Sequence, residues 1–245
     1  MDIIYEKNYH LSAVDMDCYN RLRCSRILSI LQEVAGDHSA LLDVSRGYLM
    51  EQDLFWAVIR HRICITRLPR SGENITVKTW PMPTTRTAYP RAAVAYDEQG
   101  QELFRSISLW VLMDFRTRAM VLPGKSGVLV EGHTEGIEPA APGSLAPRML
   151  ESSEHRGVKF TDLDVNGHMN NCRYLDWVAD LLPSSFHKEN HPAEITLCYL
   201  SEAKEGEELT LSWEMADGAL RVEAQRGGDA VSAGHSRVFA AQVRF

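Results

Sequence analysis

The chain is short of everything that would place it in a membrane, on a nucleic acid or in an oxidising compartment. Its 245 residues hold no apolar run near the roughly 18 that a membrane helix needs. Cations are outnumbered: 26 Lys and Arg face 33 Asp and Glu, and the net charge of −7 argues against general nucleic-acid binding. There are only five cysteines, Cys18, Cys24, Cys64, Cys172 and Cys198, an odd number with no CxxC pair. Free thiols in a reducing cytoplasm are expected from that pattern. The opening stretch MDIIYEKNYHLSAVD lacks a basic segment followed by an apolar one and begins with strand-like alternation, so no signal peptide is expected. Neither a P-loop nor a GxGxxG occurs, which removes the usual nucleotide cradles.

What is present is an ordinary globular balance, 44% hydrophobic and 24% charged, in a chain long enough for one large domain or two small ones. The charge is uneven. Residues 1–123 carry 15 Lys and Arg against 14 Asp and Glu, and residues 124–245 carry 11 against 19. An acidic partner would prefer the first half, where Arg21, Arg23, Arg26, Arg60, Arg62, Arg67 and Arg70 cluster; a solvated basic face explains the same residues.

The chain also repeats itself. VDMDCYNRLRCSRIL (14–28) lies over TDLDVNGHMNNCRYL (161–175) at an offset of 147, matching Asp15 with Asp162, Asp17 with Asp164 and Arg26 with Arg173. CITRLPRSGENITV (64–77) lies over CYLSEAKEGEELTL (198–211) at an offset of 134, matching Cys64 with Cys198 and Gly72 with Gly206. Each copy reads as a short alternating strand, an Asp-rich turn, an amphipathic helix (24–42 and 171–182) and a meander of strands split by turns such as DEQG, KEGE, ADG and RGGD. This order predicts an α+β fold in which each antiparallel sheet curls around its helix. A first domain over 1–125, a linker over 126–152 and a second domain over 153–245 are expected; nine of the 26 residues from Pro123 to Arg148 are Gly or Pro, as in a surface crossing.

Asp162, Asp164, Asn166 and His168 alternate just before the second helix. In an extended segment they would point to one side. Asn170 or Asn171 can cap the helix, whose N-terminal N–H groups suit an oxygen that becomes negative. Carboxylate, amide and imidazole together can hold and activate a water. Asp and Asn before a helix are also ordinary caps and turn formers. The duplication weighs against that reading alone, because the first copy keeps the aspartates but has Tyr19 in place of Asn166 and Arg21 in place of His168.

DLDVNGHMNN resembles the signature of acyl-acyl carrier protein thioesterases, and the whole chain resembles their tandem (double) hot-dog organisation. The resemblance implies a catalytic set of Asp164, Asn166 and His168, with a later glutamate that TLCYLSEA (196–203) supplies as Glu202. It also implies hydrolysis of a fatty acyl thioester on an acidic carrier protein, without metal or organic cofactor. Plant members follow that glutamate with a cysteine; here Ala203 stands there, which excludes a cysteine nucleophile at that position. In the family the first hot-dog shapes the acyl tunnel, so Ile27, Ile30, Leu31, Phe55, Trp56 and Val58 are candidates for lining it and Arg21, Arg60 and Arg67 for docking the carrier protein. A monomer with internally paired sheets and a homodimer are both compatible with two copies in one chain.

Whether Asp164 or Glu202 is the base, and whether water or Asp164 attacks, stays open. So do an acyl-CoA thioesterase, a non-catalytic acyl-binding module and a hot-dog dehydratase. HKENH (187–191) has two histidines four apart, but Pro183 and Pro192 flank it and a loop is expected rather than a metal-binding helix. Cys172 and Cys198 are expected to be packed thiols.

Overall fold

The computed structural model describes residues 3–134, 141–227 and 236–245. Gly228 and Asp229 of the expected RGGD turn, and residues 135–140 of the expected linker, lie outside the described residues. The chain divides into two units, Met1–Pro142 and Gly143–Phe245.

Unit 1 runs β1 (Tyr5–His10), α1 (Cys24–Leu41), α2 (Arg46–Met50), β2 (Leu54–Ile65), β3 (Asn74–Pro81), β4 (Tyr89–Asp97), β5 (Glu102–Asp114), β6 (Met120–Val121) and α3 (Pro123–Ser126). Its strands pair antiparallel in the order β1, β3, β4, β5, β2, with β6 on β5. Helix α1 buries Ile27, Leu28, Ile30, Leu31, Val34, Ala35 and His38, a stripe at helical spacing that packs toward β1 and β3. Unit 2 runs β7 (Ser152–Gly157), α4 (Arg173–Asp180), α5 (Ser184–Glu189), β8 (Glu194–Tyr199), β9 (Glu208–Ala216), β10 (Ala219–Arg226) and β11 (Arg237–Arg244). Its antiparallel order is β8, β11, β10, β9, β7. The ADG turn is a two-residue hairpin, with Asp217 at φ 51° and Gly218 at φ 70°, the left-handed pair that a type I′ turn requires. The expected α+β class is observed. Among the described residues no helix is long and apolar enough to cross a membrane.

The duplication extends to single hydrogen bonds. The Asp17 N–H donates to the Arg21 carbonyl (2.8 Å) as the Asp164 N–H donates to that of His168 (2.9 Å). The Arg23 N–H donates to the Asp15 carbonyl (3.1 Å) as the Asn170 N–H donates to that of Asp162 (2.8 Å). The bridge between Met16 and Leu22 recurs between Leu163 and Met169. The second offset also holds: Leu22 N–H reaches the Pro69 carbonyl (2.9 Å), and Met169 N–H reaches that of Ala203 (2.8 Å).

Two expectations need correction. The second helix is eight residues long rather than the twelve of 171–182, so only unit 1 wraps its sheet on a long helix. HKENH is not a loop throughout, because Pro183 is the cap residue of α5 and the helix includes His187. The chain turns extended at Asn190, so His187 and His191 do not share a helical face; His187 Nε2 lies 2.9 Å from the Ala179 carbonyl instead. Among the described residues no group of three metal-binding side chains is assembled.

The boundary between the units falls within the expected linker, whose described residues are mostly exposed and which is held at both ends. Val128 is buried with Val44, Leu49, Leu54, Tyr89 and Leu112, and His133 donates its N–H to the Pro81 carbonyl (2.9 Å). At the other end, Arg237 and Arg221 donate to the carbonyls of Leu145 (3.0 Å) and Ala146 (2.7 Å). Apolar valines and unpaired carbonyls are better satisfied against a sheet than in water, whatever the local Gly and Pro content.

Candidate active site

The motif is a closed turn, not an extended segment. Gly167 sits at φ 75°, its N–H donates to the Asp164 carbonyl (3.0 Å), and the Asp164 N–H donates to the His168 carbonyl. The left-handed residue reverses the chain, so the segment is not the extended one in which alternation would align the side chains, and two contacts are seen among them. Asp164 Oδ1 accepts from the Asn166 N–H (2.8 Å) and Oδ2 from its side-chain amide (3.3 Å). His168 Nε2 lies 3.2 Å from Glu202 Oε2, with the histidine side chain 12% exposed and the glutamate 44%. The bond from Met169 N–H to the Ala203 carbonyl ties the turn to the segment bearing Glu202. Two residues far apart in the chain thus meet where solvent reaches the carboxylate but hardly the imidazole.

The helix start is less available than expected. The N-cap residue of α4 is Cys172 rather than Asn170 or Asn171, and Asn170 acts from two residues ahead: its Oδ1 accepts from the Cys172 N–H (2.9 Å) and its carbonyl from that of Arg173 (2.9 Å). The Leu175 N–H goes to the Cys172 carbonyl (3.2 Å). Those three donors are therefore engaged locally and are not the ones that would polarise a substrate carbonyl. Behind the turn, Tyr174 stacks on Phe239 with centroids 4.7 Å apart, and Tyr199 donates its hydroxyl to the Asn171 carbonyl (3.1 Å). Burial pushes both phenols well above their ordinary pKa, so Tyr199 keeps its proton and its role as donor. These supports were missed; the aromatic clustering of three distant positions has no local signal. Cys172 and Cys198 are buried thiols.

The first copy builds the same turn without these groups. Asp17 accepts from the N–H groups of Tyr19 (2.8 Å) and Arg21 (2.9 Å), and from Arg21 Nε (3.1 Å). The place of Glu202 is taken by the buried Leu68 at the same offset of 134, a difference legible in the repeat. Arg21 therefore neutralises its own turn's aspartate, whereas His168 turns to a carboxylate that only the second copy has.

The remaining candidates separate. Ile27, Ile30, Leu31 and Val58 are interior to unit 1. Trp56 packs there too, donating Nε1 to the Val44 carbonyl (3.0 Å) and meeting Tyr89 edge-on. Phe55, one residue earlier on β2, is on the opposite face with Phe115 and under the Arg118 guanidinium, so strand alternation removes it from the lining set. Of the docking arginines, Arg21 is paired with Asp17 and Arg67 with Glu73 and Asp97, so neither is a free cation; Arg60 is half-buried on β2.

Two family models match this chain. The acyl-ACP thioesterase N-terminal domain covers residues 2–122 and the C-terminal domain covers 148–235. The chain belongs to the acyl-ACP thioesterase family. A palmitoyl-acyl carrier protein thioesterase of Gossypium hirsutum is 27% identical over 215 residues, 82% of this chain and 52% of that protein. The chain spans about half the length of the curated relatives it matches. An acyl-ACP thioesterase of Bacteroides thetaiotaomicron shares the fold at a TM-score of 0.83 and 21% identity, covering 99% of this chain and 97% of that one. The 12:0-ACP thioesterase of Umbellularia californica does so at 0.80 and 22%, covering 100% and 97%. The expected double hot-dog is thereby the fold of this family member.

Proposed function

We propose that the chain hydrolyses the thioester joining a fatty acyl chain to acyl carrier protein, releasing the free acid and ending elongation. The observation that carries this reading is the 3.2 Å pair of His168 and Glu202, present in one of two otherwise matching turns. In this scheme Glu202 takes the proton from a water that His168 helps to hold. Asp164, with both oxygens accepting from Asn166, orients the turn. The water oxygen attacks the thioester carbonyl carbon, the C–S bond breaks, and the proton passes to the departing thiolate. The acyl chain lies along the interior of unit 1 at Ile27, Ile30, Leu31, Trp56 and Val58. The carrier protein docks on the first half of the chain, where the charge is near balance, with Arg60 among its contacts.

The test is thiol release from carrier protein loaded with saturated chains of several lengths, beside matched acyl-CoA. Glu202→Gln is expected to lower kcat at least about a hundredfold, the usual contribution of a positioned general base. In oxygen-18 water, single-turnover label is expected in the fatty acid and not in Asp164. A folded wild type that binds loaded carrier protein but hydrolyses no chain overturns the reading in favour of an acyl-binding module. Equal kcat/KM on acyl-CoA moves the substrate to that class.

A further inference from the structure

The segment that carries Glu202 is gripped by an arginine at the end of β10. Arg226 donates from Nε to Glu207 Oε2 (2.8 Å), from Nη1 to Ser201 Oγ, and from Nη2 to the main-chain carbonyl of Glu202. The next carbonyl, of Ala203, accepts from Met169 in the turn that bears His168. Two consecutive peptide carbonyls are therefore held, one from the sheet and one from the His168 turn.

The first copy shows what this arginine adds. Ile75 lies opposite Asp97 in the β3–β4 pair, and its equivalent Leu209 lies opposite Arg226 in the β9–β10 pair. Arg226 thus stands where the first copy has Asp97. By the offset of 134, Ser201 stands where it has Arg67, and Glu207 where it has Glu73. In the first copy the guanidinium comes from position 67 and binds Glu73 (2.9 Å twice) and Asp97 (3.1 Å). Both copies keep an Arg–Glu pair at this corner, but the arginine has changed places. A pair needed only to hold the corner is satisfied by either arrangement. Only in the second does the guanidinium grip the residue whose side chain meets the histidine, and only there is that residue a glutamate rather than Leu68.

We propose that Arg226 is a positioning residue for the hydrolysis: its bond to the Glu202 carbonyl sets the backbone from which the carboxylate reaches His168. The proposal rests on Glu202 and His168 being the working pair. Displacing a catalytic group by about 1 Å costs on the order of a hundredfold.

The decisive variant is the double change Ser201→Arg with Arg226→Asp, which rebuilds the first copy's corner. It is expected to melt close to wild type yet lose roughly tenfold to a hundredfold in kcat, with KM within about twofold, because the lost contact acts on the reacting groups and not on binding. Arg226→Gln is expected to lose as much, Arg226→Lys less, and Arg226→Gln is expected to cost nothing further in a Glu202→Gln background, where the group it positions is gone. Wild-type kcat in the double variant overturns the proposal. So does an equal loss from Arg226→Gln with and without Glu202, including any loss that follows unfolding. Failure of the functional reading looks different: the wild type itself has no turnover for Glu202→Gln to remove, and the proposal falls with it.

Discussion

Replacing Glu223 with glutamine is expected to destabilise unit 2 by about 3–5 kcal/mol and to release the segment that leads into it. The carboxylate is 1% exposed and stands between two guanidinium groups. Oε1 accepts from the Arg148 N–H (3.1 Å) and Arg221 Nη2 (3.2 Å), and Oε2 from Arg237 Nε (3.1 Å). Glutamine keeps the shape but sets an amide N–H₂ against a donor and leaves both arginines without their anion. Removing one partner of a buried ionic set costs about 3–5 kcal/mol, a large part of the about 5–15 kcal/mol that holds a domain. The same arginines hold the carbonyls of Leu145 and Ala146, so their loosening frees the chain before β7. Urea unfolding measures the first effect, and the rate of tryptic cleavage after Arg148 the second. The triple variant Arg221→Met, Glu223→Leu, Arg237→Met separates them. Taking out the whole ionic set is often neutral, so global stability returns to within about 1 kcal/mol of wild type, while cleavage stays fast because the two carbonyls have lost their donors. A Glu223→Gln loss below about 1 kcal/mol would refute the buried-hub argument. Full protection of Arg148 in the triple variant would refute the pinning argument.

Two further changes probe the turn and the core. At Gly167 an added Cβ meets nothing within 4 Å, so Gly167→Ala is expected to cost the conformational penalty alone, about 1–2 kcal/mol, and Gly167→Asn clearly less, since Asn20 occupies the equivalent place at φ 58°; equal melting losses would show the cost to be steric. His61 is buried on β2, and burial holds its pKa down to about 4, below the ordinary 6.5. Between those values the unfolded chain binds a proton that the folded one does not, so stability from this residue is fully present above pH 6.5 and is lost, by roughly 3 kcal/mol in all, as pH falls to about 4. His61→Leu is expected to flatten that part of the stability–pH curve, and an unchanged slope would remove His61 as its cause.

Much of the fold was legible because its signals are local. The apolar stripe from Ile27 to His38 has helical spacing, β1 alternates, and Asp217–Gly218 can hardly do anything but turn. The expectations that failed were those in which a local rule competes with a distant partner. Beside them, Gly and Pro mark residues 126–152 as a surface crossing but give no sign of its attachments, Val128 in a core and Leu145 and Ala146 on arginines. Alternation from Asp164 to His168 assumed an extended chain, and the left-handed Gly167 reversed it. The helix start looked open until Asn170 closed on Cys172 and Arg173.

The duplication made the rest readable and also marks where reading from it stops. Because the backbone bonds of the two turns coincide, the scaffold explains neither copy's chemistry, and the difference has to lie in side chains. Asn166, His168 and Glu202 replace Tyr19, Arg21 and Leu68, and these substitutions can be taken directly from the two offsets. The exchange between positions 67 and 97 in one copy and 201 and 226 in the other cannot. Position 97 aligns with 226 at neither offset, and only the strand register, Ile75 against Asp97 and Leu209 against Arg226, brings them together. A charge that moves from a loop to a strand end while its carboxylate partner stays is invisible to any comparison made along the chain. It becomes visible only when the sheet sets the two ends of the move side by side. The part of the candidate site that sequence leaves out is therefore the part held from across the sheet.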